Sequence, residues 1–238
     1  MSYFPLLKRY TPTDANTLLQ WKINEAAAPY TSAGTNALTL TVKSGIIVPN
    51  ANTLFDHGAN DFNNSAYLWS GNTAVAPAGA SLTLSTWIYL NGFTGGFGGI
   101  VSKEYANNGT HNSPFVAFDL QWNSGVDGTW MFSVTTAATY TNVSVAAKTY
   151  QIPLNQWTLL AGTYDGATMR AYFNGLPAGT QAKSGNIDYG TGGPYYIGGY
   201  ASGGNLVNGI VNDVRVESTV RSAAYLRNMY LRGVGLLY

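Results

Sequence analysis

The stretch "WTLLAGTYDGATMRAYFNG", residues 157–175, holds two apolar runs that meet at Asp165-Gly166 and end at Asn174-Gly175. Asp-Gly between two such runs is a strong β-hairpin signal, because a two-residue type I′ turn needs positive φ at both central positions. Catalysis by Asp165 would need a second carboxylate or a base nearby. We therefore predict that the hairpin is scaffold and that Asp165 is a turn residue.

Short apolar runs separated by Gly, Asn, Pro or Ser clusters continue along most of the chain, and helical periodicity is almost absent. A dozen strands at this spacing predict an all-β fold of two packed antiparallel sheets. The predicted strands are residues 17–23, 37–42, 65–70, 82–90, 99–105, 115–122, 129–136, 142–148, 157–164, 168–174, 194–200 and 208–218.

One segment near the end has a different pattern. Residues 222–233 begin with a Ser N-cap, place apolar residues at 225, 226, 229 and 230, and end at a glycine. This pattern predicts one short amphipathic helix, which we expect to close one end of the sandwich.

Composition excludes several functions. Charged residues make up 10% of the chain, the net charge is +1, and no basic cluster is longer than Lys8-Arg9. Phosphate backbones and anionic lipids need a larger positive patch, so neither nucleic acid nor membrane is an expected partner. The absence of cysteine excludes disulfides and thiolate metal sites. The N-terminus lacks the pattern of a secretory signal, so we expect processing or another route of export, such as assembly into a particle.

Aromatic residues divide into two groups. Trp21, Trp87 and Trp157 lie within strong strand patterns and are predicted core residues. Five other rings flank loops, where an exposed ring could stack on the apolar face of a sugar. Burial is the alternative for each of them, because an aromatic side chain buries about 150–250 Å². These candidate glycan-binding residues are Trp122, Trp130, Tyr195, Tyr196 and Tyr200.

Several segments together resemble one family. "LLQWKINEAA", "FNNSAYLW", "SLTLSTWIYL", "GGIVSKEY", the hairpin above, "YYIGGY" and "NGIVNDVRVESTVRS" are similar, in this order, to the strands of laminin G-like, concanavalin A-like jelly rolls. The resemblance covers about residues 17–232. It implies a two-sheet antiparallel β-sandwich with one short C-terminal helix, whose relatives are mostly non-catalytic: adhesion modules, lectin-like domains and appended domains of secreted or virion proteins.

The resemblance also implies a candidate calcium site, since some relatives hold one calcium ion between the second signature strand and the last strand. The matching positions here are Asn63, Asn212 and Asp213. Two of these are amides where a carboxylate is usual, and calcium affinity rises with ligand charge. We therefore expect no cofactor, with one weakly held calcium ion as the alternative. In the absence of calcium, Asp213 would pair with Arg215 or another cation.

The enzyme alternative has little support in the sequence. Glucanases on this architecture cluster their carboxylates as Glu-x-Asp-x-x-Glu, because acid and nucleophile must flank one glycosidic bond. This chain has three glutamates, Glu25, Glu104 and Glu217, and no such cluster. His57 and His111 lie in polar loops without a partner at metal-ligand spacing, so each is predicted to be an exposed polar residue. We predict that the protein is not an enzyme.

The two ends of the chain are apolar. We divide the chain into an N-terminal arm (1–16), a jelly-roll domain (17–232) and a C-terminal tail (233–238). Apolar termini are expected to dock, either on their own sandwich or on a neighbouring subunit. The predicted interface residues are Tyr3, Phe4, Leu6, Leu7, Leu236, Leu237 and Tyr238.

These features together predict a non-enzymatic structural or adhesion protein displayed on a larger assembly. A bacteriophage virion surface component, of the capsid decoration or tail-fibre type, fits best, with glycan binding as a second role. The expected partners are copies of the chain, other structural proteins and cell-surface glycan. The alternatives are a secreted, extracellular lectin or carbohydrate-binding module and, third, a glycoside hydrolase.

Overall fold

The computed structural model describes residues 10–55, 59–106, 108–123, 127–145 and 148–235. Within these residues the chain forms two antiparallel sheets of eight strands each and one α-helix. The prediction of a two-sheet, all-β jelly roll is therefore confirmed. No helix in these ranges is long and apolar enough to span a membrane.

The first sheet has the strand order β14-β13-β12-β7-β16-β5-β4, and β1 also pairs with β16. Its strands are β1 (Thr17–Trp21), β4 (Val48–Asn50), β5 (Ala59–Asp61), β7 (Ser81–Gly92), β12 (Thr158–Asp165), β13 (Thr168–Phe173), β14 (Leu176–Ala182) and β16 (Asn208–Glu217).

The second sheet has the order β11-β10-β9-β8-β15-β6-β3-β2. Its strands are β2 (Tyr30–Thr31), β3 (Thr39–Ser44), β6 (Tyr67–Trp69), β8 (Gly98–Glu104), β9 (Val116–Trp122), β10 (Trp130–Thr136), β11 (Thr139–Val145) and β15 (Tyr195–Ile197). A single 3₁₀ turn, Lys148–Tyr150, follows β11.

The main core lies between the sheets, where alternate residues of the strands meet. Leu120 of β9 pairs with Phe132 of β10, and both are fully buried with Trp21 in this core. Trp87 is also fully buried, but on the opposite face of the first sheet, and Trp157 is partly buried beside it. Side chains of a strand point alternately to its two faces, so the neighbours of each core residue form the outer faces of the sandwich.

The hairpin at 157–175 forms as predicted, with one difference at its turn. Tyr164 pairs with Met169, so the two turn residues are Gly166 and Ala167 and not Asp165 and Gly166. Gly166 has φ +85°, as a type II′ turn requires at its first central position. Asp165 accepts hydrogen bonds from the backbone of Ala167 and Thr168, which satisfies the turn. Asp165 is therefore the last strand residue before the turn, and its side chain caps the turn from that position.

Helix α1 (Ala223–Gly233) begins at the predicted cap, since the Ser222 side chain accepts the backbone N–H of Tyr225. It does not close an end of the sandwich. Leu226 and Met229 pack against outward-facing residues of the first sheet, so the helix covers that sheet's outer face. Gly233 lets the helix approach closely, because a Cβ there would lie 2.2 Å from the Trp87 ring.

Residues 10–16 dock on the same sandwich. The Tyr10 ring lies 3.9 Å from that of Phe55, and its hydroxyl donates to Asn212 Oδ1. The buried Arg215 guanidinium donates to the carbonyl oxygens of Thr11 and Pro12. The predicted interface residues lie outside the described part of the chain. They are Tyr3, Phe4, Leu6, Leu7, Leu236, Leu237 and Tyr238.

Candidate functional site

A cleft of about 540 Å³ opens on the outer face of the second sheet. Strand register explains its position: Asp119 of β9 pairs with Ser102 of β8 and Ser133 of β10, and Ser133 pairs with Asn142 of β11. Four neighbouring strands thus present a row of short polar side chains on the face away from the core. The residues that line the cleft are Phe97, His111, Phe115, Asp119, Gln121, Asn123, Met131, Tyr140, Asn142, Ser144, Tyr200, Ser202 and Asn205.

Aromatic rings form the walls of the cleft. Phe97 is 47% exposed and Phe115 is 39% exposed, although both are large apolar residues. His111 stacks on Tyr200 with ring centroids 4.2 Å apart, and Phe115 meets Tyr140 edge to face at 6.0 Å. Phe115 has φ +68°, a backbone conformation that is costly for a bulky residue and that clusters at functional sites. The loop before β9 therefore holds an exposed ring at the cleft rim at a cost in backbone strain.

Side-chain hydrogen bonds connect the floor of the cleft. Gln121 Nε2 donates to the Tyr140 hydroxyl at 2.8 Å, and that hydroxyl lies 2.8 Å from Ser133 Oγ. The Tyr200 hydroxyl contacts Gln121 Oε1 and lies 3.1 Å from Asp119 Oδ2. These bonds fix the side chains of three strands and one loop relative to each other. The floor is therefore organised before any ligand arrives.

Asp119 lies at the centre of this network and is fully buried within the protein. Burial raises the pKa of its carboxyl group to about 7, and the neighbouring Ser133 and Tyr200 hydroxyls oppose the shift in part. Asp119 Oδ1 has no partner in hydrogen-bonding geometry among the described residues. A buried acceptor without a donor costs about 1–3 kcal/mol. With a pKa of about 7, both the neutral and the ionised carboxyl group are populated near neutral pH. Its Oδ1 remains without a hydrogen-bond donor among the described residues.

His111 is half-buried, so the prediction that it is an exposed polar residue is wrong. Its Nδ1 lies 3.0 Å from Glu104 Oε2, and Glu104 is fully buried behind it. The buried carboxyl of Glu104 also accepts the backbone N–H of Ala201. Glu104 therefore holds His111 in place against Tyr200. His57 lies outside the described residues.

The structure does not expose the five rings predicted to bind sugar. Trp122, Trp130 and Tyr195 are core residues, and their polar atoms donate to the backbone carbonyls of Thr94, Tyr150 and Val75. Their prediction as exposed rings is wrong, because they lie on the inner face of the second sheet.

The other two rings, Tyr196 and Tyr200, lie on the outer side of the same sheet, and they too are buried, so their prediction as exposed rings is also wrong. Tyr196 is covered by Tyr67 and Trp69. Tyr200 lines the cleft, with one face under His111. Of the five candidates, Tyr200 is the one that the structure places in a site.

The residues predicted to hold calcium fit an ion pair better than a metal ion. Asp213 accepts from Arg215 Nε at 3.2 Å and from Gln20 Nε2 at 2.6 Å, and both charged side chains are buried. A calcium ion on this carboxylate would face the Arg215 guanidinium. Asn212 accepts from Tyr10, and Asn63 is an exposed turn residue. The described residues contain no group of three or more His, Cys, Asp or Glu that could hold a metal.

Residues 60–227 match the family described as the concanavalin A-like lectin/glucanases superfamily. The chain belongs to this superfamily. The match covers most of the jelly roll, from β5 into helix α1, and includes every strand that forms the cleft. The suspected laminin G-like relationship is therefore confirmed.

Solved structures share the fold at low sequence identity. Domain 4 of a GH43 extracellular arabinanase from Geobacillus stearothermophilus, in complex with arabinotriose, has a TM-score of 0.69 at 14% identity over 91% of this chain and 98% of that domain. The binding domain of Paraclostridial Mosquitocidal Protein 1 has a TM-score of 0.67 at 12% identity, over 90% of this chain. The ligand-binding domain of botulinum neurotoxin serotype D, in complex with N-acetylneuraminic acid, has a TM-score of 0.62 at 14% identity, over 91% of this chain.

The chain spans about half the length of the two toxin binding domains, 52% and 50% respectively. At these identities the likeness concerns the fold alone. The comparison with curated proteins found no match.

Proposed function

We propose that this chain is a non-enzymatic binding module that holds a glycan in the cleft between Phe97, Phe115 and Tyr200. A sugar presents apolar C–H faces and many hydroxyl groups, so it needs both ring surfaces and fixed polar groups. The cleft offers this combination, and its volume lies within the range of about 300–1,000 Å³ common for small-molecule sites. The observation that carries the proposal is Asp119 Oδ1, a buried acceptor in the cleft that has no donor among the described residues.

Two relatives in fold support a glycan as the ligand. The arabinanase domain was solved with arabinotriose, and the serotype D toxin domain with N-acetylneuraminic acid. A third, a botulinum neurotoxin DC binding domain, was solved with rat synaptotagmin II, so protein ligands also occur on this architecture. The enclosed polar floor of the cleft favours a small hydroxylated ligand over a protein surface.

The number of acids in the cleft supports binding without hydrolysis. Retaining and inverting glycosidases place two carboxyl groups on opposite sides of the scissile bond. Asp119 is the single carboxyl group among the described residues that line the cleft. Glu104 lies next to the cleft, but it is buried behind His111, and its carboxyl group already contacts the His111 ring. A bound sugar would therefore meet one acid and no second carboxyl group to act as nucleophile or base.

The proposal is tested by screening the full chain on a glycan array and measuring each hit by isothermal titration calorimetry. Phe97→Ala removes an exposed wall and should weaken binding at least about tenfold, by analogy with the stacking of a nucleic-acid base on an aromatic ring, which is worth about 1–3 kcal/mol. Leu176→Ala is the matched control, because Leu176 is 44% exposed on β14 of the other sheet. Equal losses in both variants, or no glycan bound at all, would contradict the proposal.

We further propose that the module is displayed on a larger assembly. A virion surface is the preferred location, and the extracellular space is the alternative. The apolar ends of the sequence support this, since residues 1–9 and 236–238 include all seven predicted interface residues, and apolar termini are expected to dock. Mass-spectrometric identification of the chain in purified particles, against its presence free in culture supernatant, tests the two locations. Deletion of residues 1–9 should release the chain from particles and leave glycan binding unchanged.

A further inference from the structure

We propose that the cleft selects uncharged sugars over sugars that carry a carboxylate, and that Asp119 sets this preference by accepting a ligand O–H at Oδ1. The inference rests on the proposed glycan binding and names the chemical class of the ligand. It also assigns Asp119 the role of a specificity-determining residue that touches the sugar.

The hydrogen-bond network of the floor leaves one acceptor for the ligand. The Tyr200 hydroxyl has one proton but two acceptor neighbours, Asp119 Oδ2 and Gln121 Oε1. The network continues from Gln121 Nε2, which donates to the Tyr140 hydroxyl. Asp119 Oδ2, Tyr200, Gln121 and Tyr140 thus contact one another within the protein. Oδ1 remains, buried at the base of the cleft, and a donated ligand hydroxyl would satisfy it.

The charges around Asp119 disfavour an anionic ligand. From β8, Glu104 adds a second carboxyl group near Asp119, and the His111 ring faces Asp119 from the loop before β9. His111 is already engaged by Glu104 at 3.0 Å. The groups that face Asp119 from β10, β11 and the loop after β15 are uncharged hydroxyls of Ser133, Tyr140 and Tyr200.

Carboxylates on ligands are usually recognised by arginine or lysine, through charge-assisted bonds. Among the described residues that line the cleft, none is an arginine or a lysine. Lys103 lies on β8, but its Nζ donates to the carbonyl oxygens of Thr73 and Gly193 and lies over the core ring of Tyr195. A ligand carboxylate would therefore enter a partly dehydrated site beside Asp119 without a fixed cation to pair with. A hydroxymethyl group at the same position meets no such penalty.

Matched sugar pairs test this directly. Each neutral sugar that binds is compared with its uronic acid, such as methyl glucoside with methyl glucuronide and methyl galactoside with methyl galacturonide, by calorimetry at about pH 8, where an Asp119 carboxyl of pKa about 7 is ionised. The neutral member should bind at least about tenfold more tightly, since like charges in a desolvated site cost several kcal/mol. Asp119→Asn keeps an oxygen acceptor and removes the charge, so the ratio should fall to about threefold or less. Asp165→Asn, in the remote hairpin turn, should leave the ratio unchanged.

The wild-type chain gives a second test that needs no variant. At about pH 5.5 Asp119 is protonated while a uronic acid is still ionised, so discrimination should narrow relative to about pH 8. If neither member of any pair binds, the glycan proposal itself is overturned. Glycan binding in which uronic acids bind as tightly as neutral sugars overturns this inference alone, as does a ratio that neither Asp119→Asn nor the lower pH changes.

Discussion

The outer faces of the two sheets differ in what covers them. On the first sheet, Trp87, Leu159 and Tyr172 point outward and are buried beneath helix α1. On the second sheet, Asp119 and Ser133 occupy the equivalent outward positions on paired strands, and an open cleft lies above them. A sheet face that is covered by another element is apolar, and a face that is left open carries an organised polar network. The second face is therefore the one available to a ligand.

The largest effect is expected on the covered face. Trp87 stacks on Tyr230 of the helix at 5.6 Å and meets Phe55 edge to face at 6.1 Å. Trp87→Ala would leave a cavity beneath the helix and should lower the free energy of unfolding by about 3–5 kcal/mol. Chemical denaturation measures this. Phe97→Ala on the open face should change it by less than about 0.5 kcal/mol. Similar losses in the two variants would remove the distinction between the faces.

An intermediate effect is expected from Asp119, and it depends on pH. Its pKa is raised to about 7 in the folded protein, against an ordinary value near 3.8, so the folded state binds more protons than the unfolded state between these values. The contribution of Asp119 to stability is therefore fully present below about pH 4 and is lost as pH rises through 7. The full shift corresponds to at most about 4 kcal/mol.

Asp119→Asn should remove this dependence. The variant should gain stability relative to the wild type between about pH 4 and pH 8, because the wild type must then ionise a buried carboxyl. Urea denaturation of both proteins at several pH values measures the difference. A difference that does not vary with pH would show that Asp119 is not the buried acid described here.

A smaller effect is expected at the start of the covering helix. Ser222 Oγ accepts the Tyr225 N–H at 3.2 Å, and loss of such a cap costs about 1 kcal/mol. Ser222→Ala should therefore lower the free energy of unfolding by about that amount. Ser202→Ala, a change of the same chemistry at the cleft, should leave stability nearly unchanged. If Ser202→Ala were the more damaging change, the cleft would be a structural element and not a ligand site.

The sequence predicted the elements whose signals are local. The hairpin, the Ser222 cap and the long strands follow from turn residues and period-two alternation. Strands β2, β4, β5 and β14 were missed. The segment "YT" of β2 is too short to give a pattern, and "VPN", "AND" and "LPAGTQA" contain Pro, Gly or Asn and gain their order from neighbouring strands. The position of helix α1 could not be read either, since an amphipathic pattern shows that a face is buried and not against which surface.

The site was harder to predict than the fold, for a physical reason. The segment "FVAFDLQW" has the pattern of a buried strand, and its exposed site was predicted at an aromatic residue, Trp122. In the structure Trp122 points into the core, whereas Asp119 and Gln121 point to the cleft. The available signal was the polar pair at alternate positions in an apolar run. Phe97 and Phe115 lie in loops, where periodicity gives no information, and their exposure depends on long-range packing. The sequence alone could not predict which four strands pair with each other or where the two loops lie beside them.

A crystal structure of the chain soaked with a neutral oligosaccharide that it binds would test the central claim most directly. We expect the sugar in the cleft of the second sheet, with one ring face against Phe97 or Phe115 and a hydroxyl oxygen within about 3 Å of Asp119 Oδ1. A sugar bound on the first sheet or at an end of the sandwich, with Asp119 Oδ1 still without a donor, would contradict the account.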